Sequence, residues 1–178
     1  MTGQVASKLA ELGITLPQPA KPVASYVSYQ ILDNLVYISG QLPMKEGEVA
    51  YKGLVGLDLD LDQAKEAARL CALHILSQLQ EACAGNLDCV KQCIRLSGFV
   101  ASGPDFDQHP FVINGASDLI RDVFGDQGRH ARAAVGVSSL PLGACVEVEA
   151  LFEIKRDISF SDLLKSAFRK PLFQRSSS

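Results

Sequence analysis

The sequence predicts a single α+β domain whose body runs β-β-α-β-α-β-β. Three observations carry this. Two β-rich runs, 26–32 and 35–40, flank Asp33 and Asn34 and read as a hairpin. A helical apolar period fills about 62–84, and a second one fills about 110–124. Two further β-runs, 131–138 and 144–154, close the pattern on either side of Leu140-Pro141-Leu142-Gly143.

The elements follow in order. Val5, Leu9 and Leu12 recur at helical spacing, so residues 3–12 read as a short amphipathic helix. The linker LPQPAKPVA cannot be regular helix, because its prolines lack the backbone N–H. In the hairpin, both Asp33 and Asn34 tolerate a positive φ. Gly40 ends the second strand, and its missing Cβ lets backbone or ligand come close. From Gln41 to Leu59 the chain is glycine-dotted and reads as loop. The long helix that follows has Asp60 or Asp62 to cap its first N–H groups. Ala64, Ala68, Cys71, Ala72, Ile75, Leu76, Leu79 and Cys83 form its apolar face, and Gly85-Asn86 stops it. Residues 89–101 read as a long strand broken by Ser102-Gly103-Pro104-Asp105. In the second helix Val112, Ala116, Leu119, Ile120, Val123 and Phe124 lie on the buried side, and Gly125 and Gly128 end it. The domain is expected over 1–155 with its short N-terminal helix, and 156–178 as a basic, serine-ended tail, partly ordered or disordered.

Composition narrows the function. The chain has 178 residues, enough to bury a core without disulfides or metals, and 47% of them are hydrophobic. A net charge of -3 with no basic stripe argues against nucleic acid as a partner. The five cysteines are odd in number and none has C-x-x-C spacing, which fits reduced cysteines in a cytoplasmic protein. His74, His109 and His130 are scattered, so no metal site is expected. The start MTGQVASKLAELG has no signal-peptide pattern, and no apolar run reaches the roughly 18 residues of a membrane span.

At Arg132 the chain reaches a recognisable pattern. Ala131-Arg132-Ala133-Ala134-Val135, then Leu140-Pro141, then Val146-Glu147-Val148-Glu149-Ala150 resembles the A-R-S, L-P and E-x-E motifs of the RidA/YjgF family, also known as endoribonuclease L-PSP. Ile38-Ser39-Gly40-Gln41-Leu42-Pro43 resembles the family's first-hairpin motif, Tyr26 lies where it places a site tyrosine, and Asn114 matches an asparagine of its second helix. The motifs stand in the right order over roughly residues 20–155. The chain looks like a divergent branch. Ala134 stands where well-known members have cysteine, Arg129-His130 where they have Phe-Pro, and Gly136 where they have an acidic residue.

The resemblance implies a chorismate-mutase-like fold with helices on one face of the sheet, a homotrimer, and sites in clefts between subunits. It also implies hydrolysis of reactive 2-imino and 2-enamino acids to 2-keto acids and ammonia, with no cofactor and no metal. The partner is then a small carboxylate, a 2-imino or 2-keto acid. Arg132 offers a rigid fork that matches a carboxylate. Glu147, on the neighbouring strand, would orient or deprotonate the attacking water. Ser39, Gly40, Asn114 and Ala134 would line the substrate, with backbone groups near Gly40 and Ala134 binding the nitrogen and the developing charge. Tyr26 would close one wall.

Blander readings stand beside these. On composition alone Arg132 is one half of an interface ion pair, a reading that the ordered motifs reverse. Tyr26 serves equally as packing, Glu149 reads as a solvated strand charge, His130 as a rim histidine rather than an acid/base, and Cys145 as a buried spectator rather than a pocket residue. At the level of function, the alternative to an enzyme is a trimer that captures or senses small carboxylates without turnover. The ribonuclease that the family label suggests is disfavoured by the acidic balance, since phosphate contacts dominate RNA affinity.

Overall fold

In the computed structural model, which describes residues 3–19 and 25–155, the chain is organised by a long helix that starts at Asp60. Asp60 Oδ1 accepts from the backbone N–H of Gln63 (2.8 Å), and the Asp60 N–H donates to Gln63 Oε1 (3.0 Å). This reciprocal capping box satisfies two N–H groups that the first helical turn leaves without partners. The helix, here α2, spans Leu61–Ala82 and buries Ala64, Ala67, Ala68, Cys71, Ile75 and Leu79 against a sheet.

The other elements are α1 (Gln4–Glu11), β1 (Tyr29–Leu32), β2 (Leu35–Gln41), β3 (Met44–Lys45), β4 (Glu48–Val49), β5 (Val90–Ala101), α3 (His109–Phe124), β6 (Ala131–Val137) and β7 (Val146–Ile154). The five long strands form one sheet in the order β1-β2-β7-β5-β6. Every pairing is antiparallel except β5 with β6, whose parallel alignment is spanned by α3 as a crossover. The fold is therefore α+β, with α2 and α3 packed on each other and on the same face of the sheet.

Alternation with period two sorts the sheet residues. Val36 and Ile38 of β2, Leu96 and Val100 of β5, and Val146, Val148, Ala150 and Phe152 of β7 are buried under the helices. Leu32, Tyr37, Phe99, Val135, Glu147, Glu149 and Leu151 point to the opposite, open face, where Leu32 and Tyr37 are exposed. Two glycines allow the helical layer to settle. A Cβ at Gly98 would run into Ile113 of α3, and one at Gly115 into the backbone carbonyl of Lys65 on α2.

The β1–β2 turn at Asp33-Asn34 is as expected, with Asp33 in the left-handed conformation (φ 53°). Two expectations need correction. The stretch 41–59 is not all loop: β3 and β4 pair across Glu46 (φ 53°) and Gly47 (φ 87°), both left-handed, the pattern of a type I′ hairpin turn. His74 of α2 ties that hairpin down, with Nε2 at 3.0 Å from the Met44 carbonyl. In addition, residue 89 belongs to a 3-10 turn, Leu87–Cys89, not to the strand. Within that turn Asp88 accepts from the N–H groups of Gln4 and Val5 (2.8 Å each) and so caps α1 from across the chain. The five cysteines are buried and free of disulfides. The tail at 156–178 lies outside the described residues. No helix among the described residues is long and apolar enough to cross a membrane.

Candidate functional site

Arg132 sits on β6, the strand at the edge of the sheet. The parallel register places Arg132 beside Leu96, Ala134 beside Gly98 and Gly136 beside Val100. Leu96 and Val100 face the helices, so Arg132, Ala134 and Gly136 line the side of β6 that faces α3. There Arg132 Nη1 donates to Asn114 Oδ1 at 2.8 Å and to Ser117 Oγ at 3.1 Å. Asn114 and Ser117 are three residues apart on α3, neighbours on one helix surface. Among the described residues no carboxylate lies within 4.0 Å of Arg132. The guanidinium is therefore held by two neutral acceptors through one nitrogen, and Nε and Nη2 make no hydrogen bond within the described chain.

Behind Ser117 stands His130. Its Nε2 is 3.0 Å from Ser117 Oγ, and its Nδ1 is 2.7 Å from the Gly128 carbonyl oxygen. Burial holds the His130 pKa below its ordinary value. The nearby Arg132 charge adds to the effect, and the bond to the Gly128 carbonyl opposes it. Toward the other end of β6, His109 Nε2 is 3.0 Å from Ser102 Oγ, and the ring lies over Gly136, where a Cβ would meet it at 2.6 Å.

The remaining candidates gather on the open face. The register of β2 against β7 shifts between Ile38 and Gln41, and Ser39 and Gly40 occupy that irregularity. Ser39 Oγ donates to the Val27 carbonyl (2.7 Å), which ties the segment after Tyr26 to β2. Tyr26 itself is 53% exposed. Gln41 Nε2 donates to the carbonyls of Ser39 (3.0 Å) and Gly40 (3.2 Å) and braces the bulge. Glu147 of β7 lies against Gly40: a Cβ at that position would collide with its carboxylate. Only glycine fits beside Glu147 there. Burial raises the Glu147 pKa, and the like charge of Glu149 on the same face raises it further. A cleft of about 480 Å³ opens alongside, lined by Gln30, Tyr37, Ser39, Arg95, Ser97 and Glu149.

The sequence-predicted residues thus fall into two groups. Arg132, Asn114 and Ala134 meet between β6 and α3, while Tyr26, Ser39, Gly40 and Glu147 belong to the β2–β7 side of the sheet. The expectation that Glu147 lies on the strand neighbouring Arg132 is corrected. β5 inserts between β6 and β7, and the two side chains leave opposite faces of the sheet. Cys145 is fully buried, and burial pushes its thiol up to about 11, which makes it a poor nucleophile at neutral pH. Ser117 is the polar contact that sequence reasoning passed over. Its spacing of three from Asn114 was the available signal. No group of three or more His, Cys, Asp or Glu side chains among the described residues could hold a metal ion.

Comparison with known proteins gives this arrangement a context. Residues 6–154 match the family described as "YjgF/chorismate_mutase-like, putative endoribonuclease". The chain is 48% identical to Protein TCP17 of Trypanosoma cruzi over 86% of its own length and 96% of that protein. Its structure is similar to that of the protein Atu1372 of unknown function from Agrobacterium tumefaciens, with a TM-score of 0.80 and 51% identity over 85% of this chain and 92% of that one. It is also similar to a "putative endoribonuclease" from Shewanella oneidensis MR-1, with a TM-score of 0.81 and 33% identity over 84% of this chain and 99% of that one.

Proposed function

The chain belongs to the YjgF/chorismate-mutase-like family, and from that premise we propose that it hydrolyses reactive 2-imino and 2-enamino acids to 2-keto acids and ammonia, in a site shared between copies of the chain. The carrying observation is the state of Arg132: among the described residues, an edge-strand guanidinium fixed by neutral acceptors through Nη1 alone, with its Nε and Nη2 donors uncommitted. Those two nitrogens form a planar fork that matches a carboxylate with two parallel bonds.

The chemistry asks for little more. A 2-enamino acid tautomerises to the imine, water adds to the C=N carbon, and the resulting carbinolamine expels ammonia to leave the 2-keto acid. The carboxylate held by Arg132 fixes the position of that carbon. Glu147 supplies the proton transfer: its raised pKa makes it a better base for the attacking water than an ordinary surface carboxylate. Backbone groups beside Gly40 and Ala134 bind the nitrogen and the charge that develops on it. No cofactor or metal enters the reaction.

Arg132 and Glu147 leave opposite faces of one chain, so a site that uses both requires a second copy. The exposed Leu32 and Tyr37 of the open face support such an assembly, because apolar residues gathered on one sheet face call for cover. A closed homotrimer satisfies this with one repeated contact. Ribonuclease activity receives no support from a chain of net charge -3.

The test generates 2-aminoacrylate in situ and follows keto-acid release with and without the protein. Release faster than in buffer is expected, and Arg132→Lys, which keeps the charge and loses the fork, loses most of that acceleration. A rate equal to buffer, with 2-keto acids still bound, would identify a capture or sensing protein instead. An Arg132→Ala variant that binds 2-keto acids as tightly as the parent chain would remove the site altogether.

A further inference from the structure

We infer that Ser117 and His130 are positioning residues that aim the Arg132 fork, and that the aim depends on a neutral His130 protonated at Nδ1. This rests on the carboxylate site proposed above and extends it to two side chains that do not themselves touch the substrate.

Donor and acceptor bookkeeping leads there. A guanidinium has no acceptor, so both contacts of Arg132 Nη1 are donations, and they use both of its hydrogens: one to Asn114 Oδ1 (2.8 Å), one to Ser117 Oγ (3.1 Å). The plane of the fork is thereby set, and the substrate carboxylate must be taken side-on, by Nε and Nη2. A serine hydroxyl, unlike an asparagine oxygen, carries a hydrogen of its own. Ser117 presents a lone pair to Arg132 only when that hydrogen is directed elsewhere. His130 Nε2, 3.0 Å from Ser117 Oγ, is the acceptor that takes it.

Nε2 can accept only if the ring proton sits on Nδ1. The Gly128 carbonyl is solely an acceptor, and at 2.7 Å from Nδ1 it requires a proton there. The bonds therefore run in one direction: Arg132 to Ser117, Ser117 to His130, His130 to Gly128. The end of this chain is itself fixed. Gly128 lies in the 3-10 turn Gly125–Gly128 that follows α3, and a Cβ on it would meet the Ile120 carbonyl oxygen at 2.5 Å. The groups that the structure sets against His130 are Ser117 from α3, the Gly128 carbonyl from the turn, and the Arg132 charge from β6. Burial and that charge both favour the neutral ring on which the relay depends.

The experiment uses pyruvate as the carboxylate probe and the full chain, with affinity measured by calorimetric titration and the fold checked by a melting curve. Glutamine places an oxygen acceptor near the Nε2 position, while leucine has none. His130→Gln is expected to bind pyruvate within about threefold of the parent chain. His130→Leu and Ser117→Ala are expected to weaken binding roughly tenfold, the scale of one lost hydrogen bond to a charged group. In turnover the same two variants raise KM and leave kcat at saturation nearly unchanged. In the unaltered protein at neutral pH, the imidazole nitrogen shifts of His130 should report the Nδ1-protonated neutral form. An Nε2-protonated ring, or equal affinity in the leucine and parent proteins, overturns the inference. Arg132→Ala separates the two levels. If it abolishes binding while His130→Leu does not, only the positioning role falls; if it too leaves binding intact, the carboxylate site falls with it. Should His130→Leu fail to fold, the ring tautomer in the parent protein still decides.

Discussion

Glu147 carries opposing demands. In the proposed role of base it benefits from the burial that raises its pKa, and the same burial penalises its charged form in the folded chain. A carboxyl whose folded pKa lies above its unfolded value stabilises the fold fully below the ordinary value of 4.5, and that contribution is lost as pH rises through the raised pKa. Glu147→Gln should therefore melt higher than the parent chain at pH 7, with the difference closing below pH 4.5. On the proposed mechanism, in which Arg132 holds the carboxylate, the same variant should keep most of its 2-keto acid affinity and lose roughly 10²–10⁴ in turnover. Thermal melts across pH and keto-acid release on one preparation check both. An unchanged turnover would take Glu147 out of the mechanism. At this scale the sequence names candidate residues and says little about their partners. Arg132, Asn114 and Glu147 stand out by motif, whereas the role of Ser117 depends on which side of α3 meets β6, and only packing decides that.

Among elements, the helices were the most legible and the sheet order the least. The apolar period of α2 and its Asp60 cap are local signals, and the structure places the helix within two residues of where they point. The order β1-β2-β7-β5-β6 is set by long-range pairing, which no local pattern encodes. The parallel β5–α3–β6 crossover carries the arginine strand to the far edge, so consecutive β6 and β7 are not neighbours. The β3–β4 hairpin escaped because its strands are two residues long and its turn begins at a glutamate, a residue that seldom takes a positive φ. Gly115 shows how the helical layer depends on one missing methyl. Its backbone meets the Lys65 carbonyl of α2 directly, so Gly115→Ala must push α2 and α3 apart. That overpacking should cost about 1–3 kcal/mol in urea unfolding, even though alanine is the better helix former. Equal or greater stability would contradict a direct contact between the Gly115 backbone and the Lys65 carbonyl.

Across the whole molecule, the residues of the proposed site fall into two groups, back to back on one chain. Arg132 with Asn114 lies on the helix side of the edge strand, and Glu147 lies on the open face two strands away, with Gly40 on the strand beyond it. Strands sit about 4.8 Å apart, so the two halves are separated by roughly 10 Å of sheet as well as by its thickness. Neither half moves toward the other without unmaking the core between them, in which Leu96, Val148 and Ile113 are buried. In the assembly proposed above, a second copy would bring the Glu147 face of one chain to the Arg132 edge of the next. Mixing two inactive variants tests this directly. Arg132→Ala and Glu147→Gln are co-refolded in equal amounts, and the mixed assemblies are checked as trimers by light scattering. In a site built from two chains, an intact Arg132 from one variant meets an intact Glu147 from the other, and keto-acid release should recover to about a quarter of the parent rate. If the mixture stays as inactive as its components, each site is made within one chain and the shared-site account is wrong.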